Sequence, residues 1–186
     1  MTVYENIREF HIDEPTAVAI GKFDGDHIGH QYLFEELRKV AAENGLKTLV
    51  FTFNYDSREI PSFASKLNLI TNAERRAKLK EEKIDYIIEY PFDTNTAAIE
   101  ADDFLRTILI GQCNMKYIVG GYDISFGKNR AGNADMLRKY SPIYGFGTSI
   151  IGKLKNDHGE EISSTMIRNL IEEGKLTEAY SLLDRR

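Results

Sequence analysis

Two histidines, His27 and His30, stand three residues apart in the segment AIGKFDGDHIGHQ near the start of the chain. If a helix begins between them, both side chains lie near one face and can donate hydrogen bonds to a single phosphate group. The N-terminus of that helix adds partial positive charge at the same point. This pair of histidines therefore predicts a site for a nucleotide triphosphate.

Three glycines in the same segment would shape the backbone around such a ligand. Gly21 and Gly25 permit a tight turn after a strand, and Gly29 lets phosphates approach the start of the following helix. In a second interpretation, one histidine caps the helix and the other lies on the surface. A zinc site is a third, but no cysteine or third ligand at metal spacing accompanies the pair. The glycines and the strand-to-helix setting favour the phosphate site.

A second group of polar residues, SSTMIR, occupies positions 163–168. Ser163, Ser164 and Thr165 could serve as helix caps, but a cap needs only one such residue. Together with Arg168 one turn later, they offer several neutral donors and one permanent cation. This combination suits the β- and γ-phosphates of a nucleotide.

A third segment, GGYDISFGKNRAGN at 120–133, combines glycines, aromatic rings and polar side chains. Tyr122 and Phe126 could flank a planar ligand, and the polar run KNR that follows could hold a phosphate. The same aromatic rings could equally anchor an ordinary loop.

The elements that must position these segments follow from the hydrophobic pattern. Apolar, β-branched runs predict strands at 16–20, 47–53, 85–90, 116–120 and 147–151. Segments of helical period lie at 30–44, 72–82, 101–109, 133–140, 164–173 and 177–183. This alternation predicts a Rossmann-like, doubly wound α/β fold whose ligands bind beyond the carboxyl ends of parallel strands. The last two helices predict a small C-terminal helical cap.

The composition describes one globular domain over residues 1–186. A net charge of -5 argues against a nucleic-acid partner. Cys113 is the only cysteine, so no intrachain disulfide can form. Neither a signal-peptide pattern nor a run of roughly 20 apolar residues is present, so we expect a cytoplasmic protein outside the membrane.

In this order and spacing, the motifs resemble the FMN adenylyltransferase (FAD synthetase) domain of the bacterial bifunctional riboflavin kinase/FAD synthetase family. Family members typically read G-x-FDG-x-H-x-GH-Q, TF-x-PHPR, VG-x-DF-x-FG and ISST-x-IR. This chain reads GKFDGDHIGHQ, TFNYDSR, VGGYDISFGKNRAGN and ISSTMIR, and the likeness covers nearly its whole length. The resemblance implies a fold of the HxGH nucleotidyltransferase type and the conversion of ATP and FMN to FAD and pyrophosphate with Mg²⁺.

The resemblance also implies a role for each matched residue, although the residues that would hold the metal are not identified by it. The catalytic set is His27, His30 and Arg168. The ATP-binding set is Gly21, Phe23, Asp24, Gly25, Gly29, Ser163, Ser164 and Thr165, and the FMN-binding set is Tyr122, Asp123, Phe126, Asn129 and Arg130. The FMN phosphate is already largely dianionic at neutral pH. We therefore expect the histidines to stabilise charge rather than act as bases.

The chain departs from the family pattern in two places. Tyr55, Asp56 and Ser57 stand where the family has PHP, so a carboxylate replaces a histidine expected near the triphosphate. This change should weaken ATP binding unless a metal or Arg58 offsets the negative charge. The chain also stops where the family continues into a riboflavin kinase domain, so we do not expect riboflavin phosphorylation from these residues.

Two other functions are compatible with the same residues. The chain could be another HxGH nucleotidyltransferase, acting on nicotinate mononucleotide, phosphopantetheine or a sugar or glycerol phosphate. It could also be a degenerate flavin-nucleotide binding or regulatory module. The FG-K-N-R-AG loop favours FMN as acceptor, and the intact histidines and SSTMIR motif favour turnover. The oligomeric state is not predicted by the sequence.

Overall fold

The computed structural model describes residues 1–24, 28–54, 70–152, 154–156 and 159–183. Six parallel strands form the main sheet: β1 (Thr2–Glu5), β2 (Thr16–Ile20), β3 (Lys47–Asn54), β4 (Tyr86–Pro91), β5 (Met115–Gly121) and β8 (Gly147–Ile151). Two short antiparallel strands, β6 (Ser125–Phe126) and β7 (Gly132–Asn133), form a separate hairpin.

Helices occupy most of the connections between the strands. They are α1 (Ile28–Asn44), α2 (Asn72–Glu81), α3 (Thr94–Ala97), α4 (Ala101–Asp103), α5 (Ala134–Tyr144), α6 (Ser164–Glu172) and α7 (Leu176–Leu182). Helix α4 continues as a π-helix over Phe104–Gln112, and a 3₁₀ turn spans Lys128–Arg130. None of the described helices has both the length and the apolar character needed to cross a membrane.

The strand order β1-β4-β3-β2-β5-β8 places β2 inside the sheet, between β3 and β5. From β2 the chain moves outward through β3 to β4, then returns to the other side of β2 to form β5 and β8. The predicted doubly wound α/β fold is therefore confirmed. Between β2 and β5 the direction of winding reverses, and in such sheets ligands bind at that point.

Strand side chains alternate between two hydrophobic layers, one on each face of the sheet. Ala17 and Ala19 of β2 pack with Leu33 and Leu37 of α1. Val18, on the opposite face of the same strand, belongs to the layer that includes residues of the π-helix and α5. Every residue of β2 is buried, as expected for a central strand of a covered parallel sheet.

The sequence-based boundaries differ from the structure in three places. Strand β1 was not predicted, because its four residues include the polar Thr2 and Glu5, which are exposed at its two ends. The helix predicted at 101–109 extends to Gln112 and winds mostly as a π-helix. Helix α5 extends past Tyr140 with Pro142 inside it and ends at the left-handed Gly145.

Helices α6 and α7 form the C-terminal helical cap that the sequence predicts. They pack on each other through a small cluster of Ile167, Leu170 and Ala179, distinct from the two layers of the sheet. Ser163 caps the start of α6, which fixes where the helix begins after β8. The position of that helix start decides where the SSTMIR residues lie.

Candidate functional site

The three motifs follow three neighbouring strands. Strands β2, β5 and β8 lie side by side and run parallel, so their carboxyl ends meet at one edge of the sheet. The histidine segment follows β2, the aromatic loop follows β5, and the serine-rich segment follows β8. The first two flank the point where the winding reverses. The fold therefore brings the predicted segments together where a ligand is expected.

The turn after β2 is held against the core by backbone contacts. The Gly21 amide donates a hydrogen bond to the Phe51 carbonyl oxygen at 3.1 Å, and Thr52 Oγ1 donates to the Lys22 carbonyl oxygen at 3.3 Å. Phe23 has a φ of +49°, and its ring is buried. A Cβ at position 21 would lie 2.9 Å from Cζ of that ring. A side chain at position 21 would therefore push the Phe23 ring out of its place over the turn.

A buried ion cluster lies behind this turn, and sequence analysis did not single it out. Arg75 Nη1 donates to the Lys22 carbonyl oxygen at 3.4 Å, while its Nη2 donates to Glu89 Oε1 at 3.2 Å. Arg76 Nη1 lies 2.7 Å from Glu89 Oε2. The Arg75 and Glu89 residues are only 5% and 1% exposed. Charged residues on a helix and a strand are ordinary in a sequence, and only their pairing in space reveals this support.

His30 lies in the first turn of α1, directly after Gly29, and is partly buried. Its ring meets the edge of Phe23 at a centroid distance of 5.4 Å and tilts against Phe34 at 6.5 Å. The imidazole is thus oriented by aromatic neighbours at the positive end of a helix. Gly25 and His27 lie outside the described residues, so the action of both histidines on one phosphate stays a prediction.

The three hydroxyl residues of SSTMIR have different surroundings. Ser163 is the N-cap of α6, since its Oγ accepts a hydrogen bond from the Met166 amide at 3.2 Å. Ser164 Oγ donates to the Asp24 carbonyl oxygen at 2.6 Å. Thr165 is exposed in the first turn of the helix. The cap that the sequence allowed is therefore Ser163, while Ser164 ties α6 to the turn after β2.

Arg168 and Asp24 form an ion pair that joins the two predicted phosphate-binding motifs. Arg168 Nη2 lies 2.8 Å from Asp24 Oδ2, and the two side chains are 17% and 4% exposed. Lys22 Nζ lies 4.0 Å from the same oxygen, and the Ile70 amide donates to Asp24 Oδ1 at 3.3 Å. Sequence analysis predicted Asp24 and Arg168 as separate ATP-binding and catalytic residues, and it did not predict their contact with each other.

The loop after β5 presents polar side chains at its tip. Asn129 and Arg130 are exposed and have φ values of +56° and +58° within the 3₁₀ turn. Arg130 Nε donates to Ser125 Oγ at 3.1 Å, which orients the guanidinium along the hairpin. At the base of the loop, Gly127 has a φ of +71° and packs directly on Ala101. The structure therefore holds Asn129 and Arg130 on a tightly anchored turn.

The aromatic residues of this loop lie in two environments. Tyr122 is 48% exposed, and its hydroxyl donates to Glu161 Oε2 at 3.0 Å. Its neighbour Asp123 is also exposed. Phe126 is only 3% exposed, with its ring 5.8 Å from that of Phe104 in the core. The predicted role of Phe126 beside a flavin would therefore act through the shape of the loop, because its ring is packed inside the protein.

The structure gives no geometry for the segment that replaces PHP, and among the residues that it describes it identifies none that would bind the metal. Tyr55, Asp56, Ser57 and Arg58 lie outside the described residues, so the effect of this departure stays a prediction. Within the described part of the chain, no three His, Cys, Asp or Glu side chains are grouped so as to hold a metal ion. The carboxylate of Asp24 is engaged by Arg168 and a backbone amide.

Comparison with known protein families gives a match over most of the chain. Residues 9–166 match the family described as FAD synthetase. The bifunctional riboflavin kinase/FMN adenylyltransferase of Buchnera aphidicola subsp. Schizaphis graminum is 33% identical over 175 residues, which cover 94% of this chain and 56% of that protein. The protein of the same name from Listeria monocytogenes is 32% identical over 168 residues, which cover 89% and 52%. The chain thus spans a little over half the length of these relatives.

Solved structures show the same architecture. A Streptococcus pneumoniae protein named macrolide-efflux protein is 32% identical and superposes with a TM-score of 0.82, covering 98% of this chain and 59% of that chain. A pantoate-beta-alanine ligase from Francisella tularensis superposes with a TM-score of 0.58 at 13% identity, covering 93% and 78%. At that identity the likeness shows the fold alone.

Proposed function

The chain belongs to the FAD synthetase family, and from this we propose that it transfers the AMP group of ATP to FMN, giving FAD and pyrophosphate. One observation carries the proposal: the three motifs follow adjacent parallel strands and converge at one edge of the sheet. The contacts of Arg168 and Ser164 with Asp24 support it, because they join two of those motifs directly.

The reaction is a displacement at the α-phosphorus of ATP. An oxygen of the FMN phosphate forms the new P–O bond, the bond from the α-phosphorus to the bridging oxygen breaks, and pyrophosphate leaves with that electron pair. The second pKa of a phosphate ester lies near 6, so the attacking oxygen is already deprotonated at neutral pH. Catalysis therefore depends on in-line placement of the reactants and on stabilising the charge that develops.

We assign charge stabilisation to the cationic and donor groups of the first and last motifs. His30, at the positive end of α1, would donate to the α-phosphate. We assign the same role to His27 from the sequence motif, because His27 lies outside the described residues. Arg168 and Thr165, in the first turns of α6, would hold the β- and γ-phosphates, and Ser164, whose hydroxyl hydrogen is donated to the Asp24 carbonyl oxygen, would position the helix. Such fixed donors are effective because they need not reorganise as the reaction proceeds.

The remaining predicted residues would shape the two substrate pockets. Gly21 and Phe23 form the tight turn that would let the nucleotide approach the backbone after β2. On the flavin side, the exposed Tyr122, Asp123 and Asn129 would contact FMN, together with Arg130 near its phosphate. Phe126 would hold this loop in place from inside the core.

Mg²⁺ and the cellular setting belong to the same proposal. Mg²⁺ in nucleotide sites usually keeps several waters and binds substrate phosphates with one or two carboxylates. When bound with ATP, it would supply positive charge against the oxygens of the leaving pyrophosphate. The substrates are small molecules, and the net charge of -5 gives no reason to expect a nucleic-acid partner. The single cysteine fits the predicted cytoplasmic location.

An acceptor panel tests the proposal. The purified protein is incubated with ATP, Mg²⁺ and, in separate reactions, FMN, reduced FMN or nicotinate mononucleotide, and the dinucleotide product is identified by mass. FAD with stoichiometric pyrophosphate is expected from the flavin reactions. A product from nicotinate mononucleotide alone would overturn the flavin assignment. Binding of FMN without pyrophosphate release in any reaction would identify a flavin-nucleotide binding module instead.

A further inference from the structure

We propose that Asp24 is a positioning residue that holds Arg168 and the start of α6 in place for the pyrophosphate end of ATP. The inference deepens the proposed function and rests on it. Asp24 is a carboxylate beside a site for a polyanion, where its own charge opposes binding. The contacts of Asp24 nevertheless allow it to hold Arg168 and α6 in place, which a negative charge alone would not do.

The contacts of Asp24 reach two other parts of the chain, the segment at Ile70 and helix α6. Its carboxylate accepts a hydrogen bond from Arg168 Nη2 at 2.8 Å and one from the Ile70 amide at 3.3 Å. Its backbone carbonyl oxygen accepts one from Ser164 Oγ at 2.6 Å. At 4% exposure, Asp24 is buried among these partners. One residue thus fixes the turn after β2 relative to both the side chain and the first turn of α6.

Two cationic side chains approach this carboxylate. Arg168 and Lys22 both approach Asp24 Oδ2, at 2.8 Å and 4.0 Å, so two cations share one anion. The Nε donor of Arg168 is also buried, and it has no hydrogen-bond partner among the described residues. Asp24 engages only Nη2 of a guanidinium that carries five N–H donors, so the side chain that it holds keeps donors for a phosphate oxygen.

Holding an arginine in advance favours binding through conformational entropy. A free arginine side chain loses rotamer freedom when it closes on a phosphate, and this loss weakens affinity. If Asp24 has already fixed the side chain on folding, binding does not incur that loss again. Two effects of Asp24 are therefore opposed: its charge weakens the binding of a polyanion, and its hold on Arg168 strengthens it. We infer that the second effect is the larger.

Because the two effects are opposed, the direction in which Asp24→Asn changes the Kd for pyrophosphate shows which effect is larger. If Asp24 acted only through its charge, removing that charge would tighten the binding of pyrophosphate and lower the KM for ATP. The proposal gives the opposite result: a Kd for pyrophosphate raised by about tenfold, the scale of one lost charge-assisted hydrogen bond. The KM for ATP rises in parallel. The KM for FMN stays within about twofold, since the residues assigned to FMN follow β5, whereas the contacts of Asp24 given above lie with Lys22, Ile70 and helix α6.

A double-mutant cycle with Arg168→Met separates positioning from general damage. Pyrophosphate binding is measured by calorimetry on the wild type, both single variants and the double variant, with thermal melting of each. In the Arg168→Met background, Asp24→Asn should no longer raise the Kd, because the side chain that it positions is gone. The matched control is Asp135→Asn, which removes a carboxylate from the surface pair with Arg138 and should leave the Kd unchanged.

Each outcome of the cycle supports or overturns the positioning role of Asp24. Tighter or unchanged pyrophosphate binding by Asp24→Asn, or equal losses in both backgrounds, overturns the proposal. If Asp24→Asn melts too low to assay, Asp24→Glu serves instead: it keeps the buried charge, moves it by one methylene, and should raise the Kd while leaving FMN binding intact. Pyrophosphate binding does not involve the acceptor, so these results stand apart from the FAD assay. Wild-type protein that makes no FAD would refute the proposed function alone.

Discussion

His30 offers the most direct test of the catalytic assignment. Its ring is oriented by Phe23 at a centroid distance of 5.4 Å and lies in the first turn of α1. We expect His30→Ala to lower kcat by about 10² to 10³, the usual effect of deleting one donor to a transition state. KM for both substrates should change much less. Steady-state FAD formation under saturating ATP and FMN measures the effect.

A second histidine provides the control for this change. His11 precedes β2, at the end of the sheet away from the motifs, and its side chain is 66% exposed beside Asp13. His11→Ala should keep the wild-type rate. If both variants kept that rate, His30 would have no part in charge stabilisation.

Residue types and spacing predicted which motifs would form a site, but they did not predict the contacts between the residues of those motifs. The three-residue spacing of histidines and the run of hydroxyl residues with Arg168 identify the motifs without any coordinates. The contact between Asp24 and Arg168 could not be predicted, because the two residues are 144 positions apart. The same holds for Arg75 and Glu89, whose charges are ordinary until the fold buries them together.

The hairpin of β6 and β7 depends on the packing of its turn against α4. Gly127 has a φ of +71°, and a Cβ there would lie 2.5 Å from Ala101 Cα. Gly127→Ala combines a left-handed backbone with a steric clash, so we expect the free energy of unfolding to fall by about 2 to 4 kcal/mol. Urea denaturation followed by circular dichroism measures the loss.

Gly145 separates the two causes, because it has a nearly identical φ of +73° and an open environment. Among the described residues, no neighbouring atom lies within 4 Å of the point that a Cβ would occupy there. Gly145→Ala should therefore cost only the left-handed strain of about 1 to 2 kcal/mol. The difference between the two variants isolates the contact with Ala101. Equal losses would mean that the loop after β5 is not anchored by that contact.

Helix α3 carries a pH-dependent cap. Asp93 Oδ1 accepts a hydrogen bond from the Thr96 amide at 2.9 Å, and the carboxylate also pairs with Arg8. The backbone hydrogen bond, aided by the Arg8 charge, holds the pKa of Asp93 below its ordinary value of 3.8. A pKa lowered by folding contributes stability that is present above the unfolded-state pKa and is lost as pH falls through the folded-state pKa.

Asp93→Asn should therefore destabilise the protein at pH 7, with a difference from wild type that shrinks once the pH falls below about 3.8. Urea midpoints at a series of pH values measure this difference. Asp135→Asn, at an exposed surface pair, should change the midpoint little at any pH. A gap between Asp93→Asn and wild type that grew as the pH fell would contradict the cap.

The hydrophobic pattern predicted the bounds of β2 and β8 correctly but missed the edge strand β1. Strands β2 and β8 have the predicted bounds, because buried β-branched runs leave a clear signal. Strand β1 has four residues, and its place is set by parallel pairing of Val3 with Ile87 in β4. The π-helix was predicted only as a helix, since burial of Phe104 and Ile108 repeats at helical spacing in either hydrogen-bonding register.

The sheet as a whole encloses one thiol that reports on unfolding. Cys113, at the end of the π-helix, is fully buried, and burial raises the pKa of its thiol above the ordinary range. Both effects suppress reaction with a thiol reagent. We expect the folded protein to react with such a reagent very slowly in buffer, with the rate rising through the urea transition. Rapid labelling of one thiol per folded chain would contradict this burial.

On the proposed function, the ion pair between Asp24 and Arg168 would also set the point in synthesis at which the protein becomes active. A ribosome that has made the chain only as far as β8 has already supplied all six strands of the sheet and the histidine segment. It has not yet supplied Arg168, the cation proposed to bind the pyrophosphate, nor Ser164, which ties α6 to the turn after β2. A nascent chain would therefore hold ATP poorly until α6 had emerged and docked. The first turnover would therefore have to wait until the ribosome had synthesised α6.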